Sequence, residues 1–125
     1  ALALGVRALQ LSDELEETRA ALAVLGDPAA REVALAAGRG RLVVAPDGRA
    51  VLLVAGLAPA PPGKTYELWV IENGRPSPAG LFEGGAPLVL VEGTVDDGDV
   101  VAVTIEEAGG AEQPTTKPVV ASNPV

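Results

Sequence analysis

Apolar positions along the chain follow two different periods, and the change comes near residue 30. Over residues 2 to 25, Leu4, Ala8, Leu11, Leu15, Thr18, Leu22 and Leu25 recur at alternating spacings of four and three. That is the seam of a heptad helix. Asp13, Glu14, Glu16 and Glu17 fall between the seam positions, on the wet side. Gly26 stops the pattern, and Asp27-Pro28 suits a short capping turn. The seam, with Leu4, Leu11, Leu15, Leu22 and Leu25 as its leucines, suits either a paired stalk or one helix packed on its own domain.

Beyond residue 31 the period is that of strands. "REVALAA" alternates weakly, and "RLVVA" and "AVLLVAGL" flank the tight turn "PDGR". "TYELWVIE" alternates cleanly: Tyr66, Leu68 and Val70 share one face, and Glu67, Trp69 and Ile71 share the other. Asn73-Gly74 follows as a two-residue hairpin signal. "AGLFEG", "PLVLVEG" and "DVVAVTIEE" are three more short strands, and "KPVVAS" in the tail is a further one. Residues 109 to 116 read as a polar Gly/Pro loop. Seven or eight short strands with turns between them suit a β-sandwich or an open barrel, and the expected fold is mainly β, an antiparallel β-sandwich preceded by an amphipathic helix. The expected division is a helical stalk at 1–30 and a β domain at 31–125.

Composition narrows the chemistry. The 125 residues hold neither Cys nor His. Thiol nucleophiles, disulfides, Cys/His zinc sites and imidazole bases are therefore excluded. Ser12, Ser77 and Ser122 have no histidine to activate them, and no Gly-Lys-Ser/Thr phosphate loop occurs. Glu106 and Glu107 alternate to opposite faces of a strand, which is poor geometry for paired acid/base work. These features predict a non-catalytic domain without a cofactor. Asp96, Asp97 and Asp99 in "DDGD" are the candidate Ca²⁺ loop, since hard oxygen ligands suit that ion. The loop lacks the twelve-residue ligand spacing, and an Asp/Gly turn between strands accounts for it equally well. A net charge of -8 argues against nucleic acid as a partner. The opening "ALALGVRALQL" is apolar but broken by Arg7, so it forms no complete membrane span, and it reads as the start of a piece of a longer chain.

The single Tyr, Trp and Phe lie within seventeen positions, as Tyr66, Trp69 and Phe82. The expected arrangement makes Trp69 the largest plug of the sandwich core, with Phe82 nearby. Tyr66 is expected to bury its ring and keep its hydroxyl at a polar edge. The alternative is an exposed platform of Trp69 and Tyr66 that binds carbohydrate or peptide.

The blocks "GKTYELWVI" (63–71), "AGLF" (79–82) and "GDVVAVTIEEAGGAEQPT" (98–115), with the lead-in "GLAPAPPGK" (56–64), resemble the extracytoplasmic C-terminal domain of anti-sigma-K factors. The likeness covers residues 40 to 121 well and the leading helix loosely. The chain departs from the family pattern at Glu107, where Pro is usual, and at Ala111, where Ser is common. Tyr66, Leu68, Trp69 and Phe82 stand as the structural core of the shared motif. The resemblance implies an outer regulatory domain of a single-pass anti-sigma factor in the cell membrane. Its implied partners are a sigma factor, bound by a cytoplasmic domain outside these residues, the membrane, through a span also outside them, and a regulatory protease. A homodimer through the helix is a further expectation.

Overall fold

The structure, a computed structural model, describes residues 15–85 and 87–125. The helix α1 runs over residues 15–25, and eight strands follow. They are β1 (Arg31–Ala37), β2 (Gly40–Val44), β3 (Ala50–Val54), β4 (Lys64–Glu72), β5 (Arg75–Phe82), β6 (Leu88–Val91), β7 (Val100–Glu107) and β8 (Val120–Ser122). All ladders are antiparallel and form one sheet in the order β5-β4-β7-β8-β1-β2-β3-β6.

β1 joins the two halves of that sheet. Its first four residues pair with β2, and Leu35 and Ala37 pair with β8 across a register shift. A bulge of this kind bends a strand, so one strand serves both halves. Leu42, Val44, Leu52 and Val54 from one half then meet Tyr66, Leu68, Val101 and Val103 from the other in a common core. The mainly β, antiparallel expectation holds. Among the described residues the two ends of the sheet, β5 and β6, are joined by one backbone bond, from the Glu92 N–H just after β6 to the Ala79 carbonyl (2.9 Å).

The β2, β3 and β6 sequences are apolar almost throughout because both faces are covered. Val43, Val51, Leu53, Leu88 and Leu90 point away from the shared core and pack beneath α1. The residues α1 supplies to that contact are Ala21, Val24 and Leu25. Short Ala and Val side chains let a helix approach a sheet closely. Leu15 and Leu22 lie roughly a third of a turn away on the helix and are 57% and 60% exposed. The heptad seam is thus split: Leu25 is turned toward the sheet, while Leu15 and Leu22 face outward. Leu4 and Leu11, like the first part of the expected helix, lie outside the described residues. The helix ends at residue 25, and Asp27 then caps a turn by accepting from the Ala29 N–H (2.8 Å).

The hairpins follow their turn chemistry. Asn73 and Gly74 both have positive φ, 51° and 77°, as the mirror-image two-residue turn requires. This places β5 from Arg75, four residues earlier than the apolar pattern suggests. Pro76 and Pro78 hid that start. With Glu72 opposite Arg75 beside the turn, both prolines occupy positions whose backbone nitrogen points away from β4, so neither costs the ladder a bond.

Candidate functional site

The inner face of β4 holds Tyr66. Its hydroxyl donates to the Ala58 carbonyl (2.6 Å), and its ring stacks on Phe82 with centroids 5.2 Å apart. The proline-rich lead-in is thereby fastened to the core. Gly84 closes the same corner at φ +85°, and a Cβ there would lie 2.6 Å from the Ala58 oxygen and 2.7 Å from the Tyr66 ring.

Trp69 is 0% exposed, but it does not lie in the core shared by the two halves of the sheet. It projects from the opposite face of β4, with Glu67 on the same side, while Phe82 stacks on Tyr66. The expected core plug is therefore replaced by a second, outer layer. Alternation alone could not say which face of β4 would be covered by the other half of the sheet and which by a loop. Burial of both rings also removes the exposed Trp69–Tyr66 platform.

That outer layer is polar and closed. The register sets Thr104 opposite Glu67 and Glu106 opposite Thr65, with Thr104 on the diagonal from Trp69. Trp69 Nε1–H donates to Thr104 Oγ1 (2.8 Å), and Thr104 in turn donates to Glu106 Oε2 (2.6 Å). Glu106 also accepts from the Thr115 hydroxyl and the Thr115 N–H. Glu67 Oε1 accepts from the Ala111 N–H (2.7 Å). The Thr116 hydroxyl donates to the Ile105 carbonyl, and the Val119 N–H to the Val103 carbonyl. Residues 110–119 are thus laced down over Trp69. Among the described residues no buried side-chain polar atom lacks a partner. Gly110 is required here: at φ +83° a Cβ would stand 2.9 Å from Leu81 and 3.2 Å from Glu67 Oε1.

Burial pushes the Glu106 carboxyl up. Hydrogen bonds from Thr104, Thr115 and the backbone of Thr115 and Thr116 outweigh it and hold the group below its usual range. A carboxylate so held is a fastening for the loop. It reaches no substrate, since Thr104 and Glu106 are both buried. Its neighbour Glu107 turns outward and pairs with Lys64 (2.5 Å). Ser122 is buried and accepts from the Val101 N–H (2.9 Å), a structural role, while Ser77 is exposed and Ser12 lies outside the described residues.

The "DDGD" carboxylates do not converge. Asp97 pairs with Arg31, and Asp99 accepts from the Asp96 N–H (3.0 Å). The Val125 carbonyl accepts from the Gly98 N–H (2.7 Å) and the Val125 N–H donates to the Asp99 carbonyl (2.9 Å), so the loop is tied to Val125. Among the described residues no group of three or more acidic side chains is placed to hold a metal. Nor is any described helix long and apolar enough to cross a membrane.

The family described as "Anti-sigma-K factor rskA, C-terminal" matches residues 1–119. A protein of Streptomyces griseus, described as an uncharacterized protein in the phr 5' region, is 42% identical over 77 residues. The match covers 60% of this chain and 32% of that protein, so the chain spans about a third of its relative's length. No solved structure matches the chain. Of the blocks that carry the family likeness, the first two bring Tyr66, Leu68 and Phe82 to the inner core and Trp69 to the outer layer, and the third brings Thr104, Glu106, Gly110 and Thr115, which fasten the loop.

Proposed function

The chain belongs to the anti-sigma-K factor C-terminal family, and from that premise we propose that it is the outer regulatory domain of a single-pass membrane anti-sigma factor. The family match over residues 1–119 carries this reading. A cytoplasmic domain outside these residues holds the sigma factor, and a span outside them joins the two sides of the cell membrane. Residues 1–30 act as the stalk and 31–125 as the sensing domain. The domain has no catalytic role. It shields the stalk from a regulatory protease, and cleavage releases the sigma factor. The packing of α1 supports this: Ala21, Val24 and Leu25 dock the stalk on the sheet, so an intact β domain restrains it.

The test replaces residues 31–125 of the full-length protein with an unrelated folded domain and follows a sigma-dependent reporter. The expected result is a reporter switched on without signal, together with a shorter anti-sigma fragment on a blot. A silent reporter with the chimera at normal abundance overturns the proposal. External protease digestion of intact spheroplasts checks the placement, because an outer domain is cut there and an inner one is protected.

A second reading adds self-association. Leu15 and Leu22 are seven residues apart, outward, and largely exposed, and their spacing continues the Leu4 and Leu11 positions. A second copy is the matching partner for a heptad seam. Sedimentation is expected to show a dimer that the Leu15→Asp, Leu22→Asp double variant converts to monomer. A chain that is monomeric from the outset rules the pairing out.

A further inference from the structure

We propose that the open seam between β5 and β6 is a docking groove for an extended apolar peptide that carries Lys or Arg beside its apolar residues. The inference goes beyond the anti-sigma reading and concerns a surface that this reading does not use.

β6 ends the strand order, so among the described residues no strand pairs with its outer edge. The phase of that edge is fixed by the Val54 N–H, which donates to the Pro87 carbonyl (3.0 Å). With Leu52 opposite Val89 and Ala50 opposite Val91, the bonded pairs fall at those alternate positions. The backbone N–H and C=O groups of Leu88 and Leu90 then point into the seam. The Glu92 N–H, next in phase, makes its bond to Ala79 across the seam. A peptide lying along β6 can take up the Leu88 and Leu90 groups as an added strand.

The walls suit apolar side chains. Beyond the Ala79–Glu92 closure lies a cavity of about 220 Å³, lined by Leu68, Leu81, Phe82, Leu88 and Leu90. It is smaller than the roughly 300–1,000 Å³ of small-molecule pockets, and alternate side chains of a strand suit it better. Leu81 is 48% exposed at its mouth. The rim is acidic. Glu17 and Glu92 border the cavity, and the groove continues past Leu81 to Glu112. Among the described residues no Lys or Arg lines either part. In a chain of net charge -8, that rim favours a cationic partner and disfavours an acidic one.

The test is selection of a random ten-residue phage library on the 125-residue chain, followed by anisotropy measurements on the enriched peptides. Enriched sequences are expected to alternate apolar residues and to flank them with Lys or Arg. Leu81→Asp should weaken them at least tenfold. Glu17→Lys with Glu92→Lys should weaken them in a salt-dependent way, and N-methylation of alternate peptide nitrogens should abolish binding. All variants should melt like the parent, since the changed side chains are exposed. The proposal is overturned if no sequence is enriched, if acidic sequences are, or if enriched peptides bind the variants as tightly as the parent. It is also overturned if Leu81→Asp turns a dimer into a monomer, which would make a second copy the occupant. None of these outcomes alters the sigma-dependent reporter result, so the two proposals fail separately.

Discussion

Trp69→Ala is expected to be the most damaging single substitution in the described chain. Removing a buried Trp side chain costs about 3–5 kcal/mol, against about 5–15 kcal/mol of stability for a whole domain. For a chain of this size that corresponds to a fall in Tm on the order of 10–20 °C. The loss has two parts. One is the volume of the ring, which is 0% exposed beneath residues 110–119. The other is the Nε1–H donated to Thr104. Trp69→Phe separates them, because it keeps most of the volume and removes the donor, and should cost about 1 kcal/mol. Glu72→Ala, on an exposed side chain, should stay within about 0.5 kcal/mol. In the full-length protein, Trp69→Ala should raise the sigma-dependent reporter and Glu72→Ala should not. If Trp69→Ala melts like the parent, the outer layer does not support the fold. If it melts early while the reporter stays silent at normal protein levels, stability of this domain does not guard the release of the sigma factor.

Much of this architecture is legible in the sequence, and the rest has definite physical reasons for being hidden. The alternation of β4 is real, and it separates Tyr66, Leu68 and Val70 from Glu67 and Trp69 as the pattern predicts. Asn73-Gly74 forms the turn its chemistry demands. Alternation, however, assigns residues to faces without saying what covers each face. The pattern therefore puts the largest side chain in the inner core, whereas the core shared by the two halves of the sheet is built mainly from Val, Leu and Ala with Tyr66 at its end. The clue lay in β7, where Ala102, Thr104 and Glu106 alternate with Val101, Val103 and Ile105. A face bearing Thr and Glu opposite a face of aliphatics, followed by a Gly-Gly loop with two threonines, is the pattern of a polar layer under a strap. The helix misled for a related reason. Heptad spacing selects leucines, but the surface that meets the sheet is set by how closely the helix can approach, and that favours Ala21 and Val24. The open seam is a property of the closing geometry, to which no local pattern refers.

Acid should uncover Trp69 through Glu106. Its carboxyl is held below its usual range because the hydrogen bonds to its ionised form outweigh the penalty of burial. A group whose folded pKa is depressed contributes stability above its unfolded pKa, near the ordinary Glu value of about 4.3. That contribution disappears as pH falls through the lower, folded value. The parent chain should therefore be steady in Tm from neutral pH down to roughly pH 5 and lose stability below that. Glu106→Gln keeps the shape but offers an NH₂ group where Thr104 and Thr115 donate. Hydrogen bonds to a charged group are worth roughly 1.5–3 kcal/mol each, so at pH 7 the variant should melt well below the parent. The gap between the two should narrow as the pH drops, because protonation takes from the parent what the substitution has already taken from the variant. Trp69, the only Trp in the chain, supplies a direct reading of the same event. As the strap of residues 110–119 loosens, its emission should shift to the red, in acid for the parent and already at neutral pH for Glu106→Gln. A Tm difference that stays constant across the pH range would show that Glu106 does not fasten the strap through its charge. A Trp69 emission that stays blue while the Tm falls would place the acid-sensitive contacts elsewhere in the fold.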